Sequence, residues 1–159
     1  MSMAAMLNDL PLVKFMRGLG CPVNENVFEV FAYKGNLEAV NYLMTSGCPS
    51  GRCVEYAASS QNLTTLRWIR DNGGALTATS FAAACLTGNI DVIEWFERNM
   101  CGWDERVVSF AALAARQGYF SILKWARDNG CQWDSTTLRG AADGGHFELL
   151  RWAVENDCP

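Results

Sequence analysis

The chain has 159 residues, half of them hydrophobic, with a net charge of −4 and a sequence pI near 5.0. That is enough apolar side chain for one domain with a buried core, yet no apolar run approaches the roughly 20 residues of a membrane span. The opening "MSMAAMLNDL" lacks the basic region and apolar core of a secretory signal, and acidic and basic residues are interleaved throughout, leaving no basic patch for a polyanion. An intracellular, cytoplasmic protein is expected, with the nucleus left open and with neither nucleic acid nor a membrane as its partner.

In chain order, six apolar segments recur in register: "LPLVKFM", "LEAVNYL", "LTTLRWI", "IDVIEWF", "FSILKWA" and "FELLRWA", beginning at Leu10, Leu37, Leu63, Ile90, Phe120 and Phe147. Counting each first residue as offset 0, offsets 0, 3, 5 and 6 are apolar in every copy, and offset 2 in all but Thr65. So wide an apolar spread belongs to a helix with neighbours on more than one side. Offset 4, from Lys14 to Arg151, is the solvent side. Offset 1 is Pro11, Glu38, Thr64, Asp91, Ser121 or Glu148, types that suit a helix start, so each of these outer helices is expected to begin there. Their ends fall at "TSG", "RDNG" and "ERN".

Upstream of each outer helix the sequence predicts a smaller inner one, seen in "VEYAASSQN", "SFAAACLTGN", "SFAALAARQGY" and "LRGAADGGH". Its packing residues are mostly alanine: Ala57, Ala58, Ala83, Ala84, Ala111, Ala114, Ala115, Ala141 and Ala142. Small side chains let inner helices approach closely, while the outer row carries Trp68, Trp95, Trp125 and Trp152. A stack narrow on one side and wide on the other curves, with the alanine side concave.

The cysteines carry the same period. Cys21 and Cys48 are 27 apart, Cys48 and Cys101 53, Cys101 and Cys131 30, and Cys131 and Cys158 27. Repeat units therefore run 21–47, 48–73, 74–100, 101–130 and 131–157, after a partial unit 1–20. An odd total of seven cysteines with no secretion signal predicts free thiols, and the absence of C-x-x-C beside the single His146 predicts no metal site. Cys158-Pro159 copies the openings Cys21-Pro22 and Cys48-Pro49, so the array is expected to continue beyond the chain. The helix at 147–156 should then expose apolar surface from Phe147, Leu149 or Trp152 and favour self-association.

The last full unit, "TTLRGAADGGHFELLRWAVEND", resembles the ankyrin pattern T-P-L-H-x-A-A-x-x-G-H-x-x-V-V-x-L-L-L-x-x-G, with Thr136, Leu138, Ala141, Ala142, Gly145 and His146 on its marks. The resemblance covers the whole chain and is strongest to short, Trp- and Cys-rich ankyrin-type units of the form G-C-P-W-D. A usual ankyrin unit has about 33 residues, and only "CQWDS" separates the outer helix from the Thr, so the hairpin finger is shortened. No unit keeps the Pro and His of T-P-L-H, and the unit at 101–130 has three extra residues near "ERVVSF", predicting a longer inner helix or loop there. The resemblance implies an all-α, right-handed, ankyrin-like helical-repeat solenoid of about six stacked helix pairs, without cofactor, that binds a protein partner.

Packing accounts for most of the patterned residues. The Trp row reads as core rather than as a stacking platform, with Trp95 and Trp125 nearly fully buried. Trp103 and Trp133, in the shortened loops, either pack under the next loop or project as contacts. Asp104 and Asp134 suit turns or caps, and Gly35, Gly88, Gly118 and Gly145 suit positive φ. His146 is expected to bond the local backbone, and no nucleophile stands beside it to make a catalytic dyad. What remains is the exposed inner-helix ends and loops: Tyr33, Lys34, Ser59, Ser60, Leu86, Thr87, Trp103, Arg106, Arg116, Gln117, Trp133 and Asp143. Tyr33, Arg116 and Trp133 are the expected anchors of a non-catalytic protein–protein interaction scaffold. The alternative is a small-molecule-binding or enzymatic cleft near the irregular unit 101–130.

Overall fold

The computed structural model describes residues 1–48, 52–99 and 105–159, with 105–109 described as helical backbone only. Among the described residues there are twelve helices and no strand. They follow one another in couples along the chain, the first of each called inner and the second outer: α1 (Ser2–Met6) and α2 (Leu10–Gly18), α3 (Glu25–Lys34) and α4 (Leu37–Thr45), α5 (Cys53–Ser59) and α6 (Leu63–Asp71), α7 (Ala78–Cys85) and α8 (Ile90–Asn99), α9 (Glu105–Gln117) and α10 (Phe120–Asp128), and α11 (Ser135–Asp143) and α12 (Phe147–Glu155). Two compact units divide the chain, Met1–Ala83 and Ala84–Pro159. In the first, α3 packs against both α1 and α5, and each of α1, α3 and α5 against its own outer helix. In the second, α11 packs closely on α9, with α10 and α12 against their inner partners. The three extra residues of the fifth pair lengthen α9, at 13 residues the longest helix described.

One closure recurs at the helix ends. The inner helix ends in a left-handed residue, Asn8, Gly35, Gln61, Gly88, Gly118 or Gly145, with φ between 59° and 74°. The next amide then returns to the carbonyl five residues back: Asn36 N–H to Phe31 O at 3.1 Å, Tyr119 to Ala114 O at 2.9 Å, His146 to Ala141 O at 2.9 Å. This satisfies carbonyls that the last turn would leave unpaired. Outer helices close likewise through Gly20, Gly47, Gly73, Gly130 and Asp157, with the amides of Cys21, Cys48, Gly74, Cys131 and Cys158 returning to Met16, Leu43, Ile69, Ala126 and Ala153. The recurring Cys is thus the residue that follows the left-handed turn. Gly74 replaces it in one unit because a Cβ there would collide with the Ile69 side chain and carbonyl.

The outer helices begin one residue earlier than the sequence predicts, at offset 0, and their caps stand one residue before that. Asp9 accepts from Leu12 N at 2.9 Å, Asn36 from Ala39 N at 3.0 Å, Asn62 from Thr65 N at 2.9 Å and Asn89 from Asp91 N at 3.0 Å. Residues such as Glu38 and Asp91 occupy the first turn, where they complement the dipole without capping. Asp134 does cap, accepting from Thr136 N at 2.8 Å at the start of α11.

Offsets 2, 3 and 6 hold the deepest side chains. Val13, Val40, Leu43, Leu66 and Ile69 are fully buried in the first unit, as are Ile93, Phe96 and Leu123 in the second, each contributing roughly 1.5–3 kcal/mol of transfer free energy. At 3.6 residues per turn, offsets 0 and 5 fall on opposite flanks of that stripe. The aromatic row is therefore less buried than expected: Trp95 is 7% exposed, but Trp125, Trp68 and Trp152 are only half-buried, and Phe15 is 65% exposed. Trp125 corrects the sequence expectation because a flank position is covered only on the side where another helix pair lies against it. Ala142 departs as well, being exposed, while Ala57, Ala58, Ala84, Ala111, Ala114, Ala115 and Ala141 are buried.

Candidate functional site

Every described candidate at an inner-helix end occupies one structural position. Tyr33 and Lys34 close α3, Ser59 closes α5 with Ser60 as its cap residue, Leu86 and Thr87 follow α7, Arg116 and Gln117 close α9, and Asp143 closes α11. The left-handed turn comes directly after and aims the chain back into the outer helix. The last residues of the inner helix are thereby left at its rim. Tyr33, Lys34, Ser59, Leu86, Arg116, Gln117 and Asp143 are exposed. Ser60 and Thr87 are half-buried, and their hydroxyls donate to Ala57 O at 3.0 Å and Ala84 O at 2.7 Å, so they serve the turn. Ser59 likewise returns its hydroxyl to Glu55 O at 2.9 Å.

Trp133 is not a projecting contact. It is 8% exposed, with the Arg127 guanidinium 4.2 Å from its ring centroid and the Trp152 ring centroid at 5.5 Å in an edge arrangement. The indole thus lies against Arg127 of α10 and Trp152 of α12. Burial removes it from the set of anchors. Trp103 lies outside the described residues, and Arg106 stands on the helical backbone of α9 with its side chain outside them.

Ties between neighbouring pairs at this rim have no counterpart in the sequence reading. In the second unit Tyr119 Oη donates to Leu86 O at 3.0 Å, and thirty residues on, His146 Nε2 stands 3.2 Å from Arg116 O. Leu86 and Arg116 are equivalent positions, so their side chains stay free while their carbonyls accept from the next pair. His146 therefore bonds the preceding pair's backbone rather than its own local turn. In the first unit, equivalent glutamates reach forward from inner helices. Glu29 Oε1 accepts from Arg52 N at 3.3 Å at the uncapped start of α5, and Glu55 Oε1 accepts from Thr79 Oγ1 at 2.8 Å in the first turn of α7. The one signal that pointed to these ties was Tyr119 and His146 standing where other pairs carry Asp or Asn.

The turn glycines answer to more than φ. A Cβ on Gly35 would collide with the Asn62 amide, one on Gly88 would meet the Tyr119 ring at 3.1 Å, and one on Gly118 the His146 ring at 2.5 Å. Gly145 has open space around it. Gly140, inside α11, faces Ala112 O so closely that a Cβ would overlap it, which explains a glycine in a helix interior.

Two clefts lie in the second unit. One of about 450 Å³ is lined by Gly118, Phe120, Gly145, His146, Phe147, Glu148 and Leu149, and one of about 350 Å³ by Lys124, Arg127, Asp128, Trp133, Trp152 and Asn156. The single imidazole of the first is engaged with a carbonyl, and no hydroxyl or thiol lines either. Six cysteines, Cys21, Cys48, Cys53, Cys85, Cys131 and Cys158, are free, and Cys101 lies outside the described residues. Burial pushes the Cys53 thiol up to about 11, with Glu55 adding to it, and the Cys131 thiol up to about 11 against the opposing Arg127. Cys85 and Cys158 are also raised, chiefly by burial. Such thiols stay protonated at neutral pH and are poor nucleophiles. Among the described residues no three His, Cys, Asp or Glu side chains are grouped as a metal site, and no helix is long and apolar enough to cross a membrane. A scan against protein-family models gives no match to the chain, and neither does a sequence comparison with curated proteins.

Proposed function

We propose that the chain is a non-catalytic protein–protein interaction scaffold, an ankyrin-like helical-repeat solenoid that binds a protein partner in the cytoplasm through the rim of its inner helices. One observation carries the reading. Core positions of the pairs are alike, whereas the residues just before the left-handed turns are exposed and differ from pair to pair: Tyr33 and Lys34, Ser59, Leu86, Arg116 and Gln117, Asp143. Patterned side chains are consumed by packing, the thiols of Cys53, Cys85, Cys131 and Cys158 are buried, and the imidazole is engaged. Specificity then rests with the variable rim. Tyr33 and Arg116 are the anchors, because Tyr and Arg dominate interface energetics when buried against a partner.

The test uses the whole chain as bait in an extract of its native cell, followed by titration of a purified captured protein. Tyr33→Ala and Arg116→Ala should each weaken binding by about 1–2 kcal/mol or more without lowering the melting temperature, while Lys124→Ala and Arg151→Ala, on the outer helices, should leave binding unchanged. Binding that survives the first two and is lost with the second two refutes the reading.

A further inference from the structure

A cleft of about 320 Å³ opens in the first unit, lined by Arg17, Cys21, Val23 and Cys48 together with the turn glycines Gly20 and Gly47. Its walls come from the first two helix pairs, which meet there: Arg17 Nη2 donates to Ser46 O at 2.8 Å, and the guanidinium lies 5.6 Å from the Tyr42 ring centroid. The second unit has the same place filled. Arg127, at offset 7 like Arg17, donates Nη1 to Cys131 O at 2.9 Å and lies against Trp133, and Cys131 and Cys158 are 1% and 8% exposed. Val23 occupies the position of Trp133, two residues after the Cys. The shorter side chain leaves open the space that an indole would take, and Cys21 and Cys48 are only half-buried beside it.

Arg17 is left incomplete by the same change. Its Nη1 is buried without a hydrogen-bond partner, and among the described residues of the lining Arg17 alone is charged. An unpaired donor on a buried cation is costly, and a carboxylate is the acceptor that matches a guanidinium. Cys53, Cys85, Cys131 and Cys158 are buried, so among the described cysteines the two that a reagent can reach are the two beside Arg17. We infer that this cleft is a thiol-modification site for small carboxylate-bearing disulfides, Arg17 holding the carboxylate while a sulfur of the reagent meets Cys21 or Cys48. In the exchange the cysteine thiol gives its proton to water and the thiolate attacks one sulfur of the reagent. The reagent's S–S bond breaks, a mixed disulfide with the protein forms, and the other half departs as a thiolate with the electron pair. The protein sulfur is oxidised and the departing sulfur reduced, so the reagent is the only oxidant required.

Alkylation of the intact, folded chain by iodoacetate and iodoacetamide in competition, mapped by mass spectrometry, tests the role of charge. At Cys21 and Cys48 the ratio of carboxymethyl to carbamidomethyl product should be about tenfold higher than at the same residues in urea. It should fall to the urea value in Arg17→Gln and be largely kept in Arg17→Lys, with circular dichroism reporting whether each variant is folded. Val23→Trp leaves Arg17 in place and should block both reagents at the two cysteines by filling the cleft. Oxidised glutathione, the second probe, should give a mixed disulfide at Cys21 or Cys48 that a reductant reverses, formed about tenfold more slowly in Arg17→Gln. A ratio that is equal in the folded and unfolded chain, or unchanged in a folded Arg17→Gln, overturns the inference. So does a mixed disulfide that forms at Cys53, Cys85, Cys131 or Cys158 as fast as at Cys21 and Cys48.

Discussion

The two compact units tie successive helix pairs together by different chemistry in the same register. In Met1–Ala83 the ties come chiefly from polar and cationic side chains: Asn36 Nδ2 to Asn8 Oδ1 at 2.9 Å, Lys14 to Glu38 at 3.1 Å, Glu29 to the Arg52 amide, and Glu55 to Thr79, with Lys14 and Arg17 also over the Tyr42 ring and Arg17 donating to Ser46 O at 2.8 Å. In Ala84–Pro159 they are rings and backbone: Tyr119 and His146 to carbonyls, Phe120 and Trp133 against Trp152, and Gly140 against Ala112 O. An Asn before the outer helix caps its own helix, and Asn36 bonds the previous pair as well. Tyr119 and His146 make no cap bond, and the tie alone remains to them. One position can therefore serve local structure or pair-to-pair cohesion, and side-chain length decides which.

The largest test of this contrast is Gly140→Ala. With a backbone carbonyl in the way and no flexible atom to yield, α11 must shift from α9, at a cost of about 3 kcal/mol in urea unfolding. Gly18→Ala, at the end of α2 with nothing within 4 Å, should change stability by under about 1 kcal/mol. Equal effects at the two sites would remove the claim that the second unit depends on close backbone approach.

Next in size are the left-handed turns. Gly118→Ala meets both the φ of 74° and the His146 ring, and should cost about 2–3 kcal/mol, whereas Gly145→Ala meets φ alone and should cost about 1 kcal/mol. Thermal melts of the pair check the difference. A gap that persists in the background of His146→Ala would show that the ring is not its cause.

Smaller again are single bonds. Tyr119→Phe keeps the ring and loses the bond to Leu86 O, for about 1 kcal/mol, and Asn62→Ala loses a helix cap, for about 1 kcal/mol. Their signatures differ in amide exchange. The first should loosen protection where the fourth pair meets the fifth, the second only in the first turn of α6.

The smallest effect is on thiol titration. Folding raises Cys53 and Cys131 from about 9 to about 11, so it favours the protonated thiols; that stability is complete below pH 9 and is lost as pH rises through 11. Alkylation followed against pH should show Cys53 titrating lower in Glu55→Gln, because one carboxylate that disfavours its thiolate is gone. Cys131 should titrate higher in Arg127→Gln, because a cation that favours its thiolate is gone. Opposite movements would reverse the assigned causes.

The sequence by itself determined the helical register. Its apolar offsets, the glycines after the inner helices and the period of the cysteines are local requirements of helix burial and helix closure, and local requirements are written into neighbouring residues. Leu43, Leu66, Phe96 and Leu123 lie in the core where that register puts them. The exposed inner-helix ends were legible for the same reason, since the turn that exposes Tyr33 and Arg116 is coded two residues later by glycine. Tertiary structure alone decided whatever depends on the atoms across the gap. Offset 5 reads alike at Phe15, Trp95 and Trp125, yet Phe15 is open to solvent, Trp95 is buried and Trp125 half-covered. Trp133, in a polar loop, is enclosed by Arg127 and Trp152. Burial at a flank is a property of two elements, and a pattern along one helix specifies only its own half of the contact.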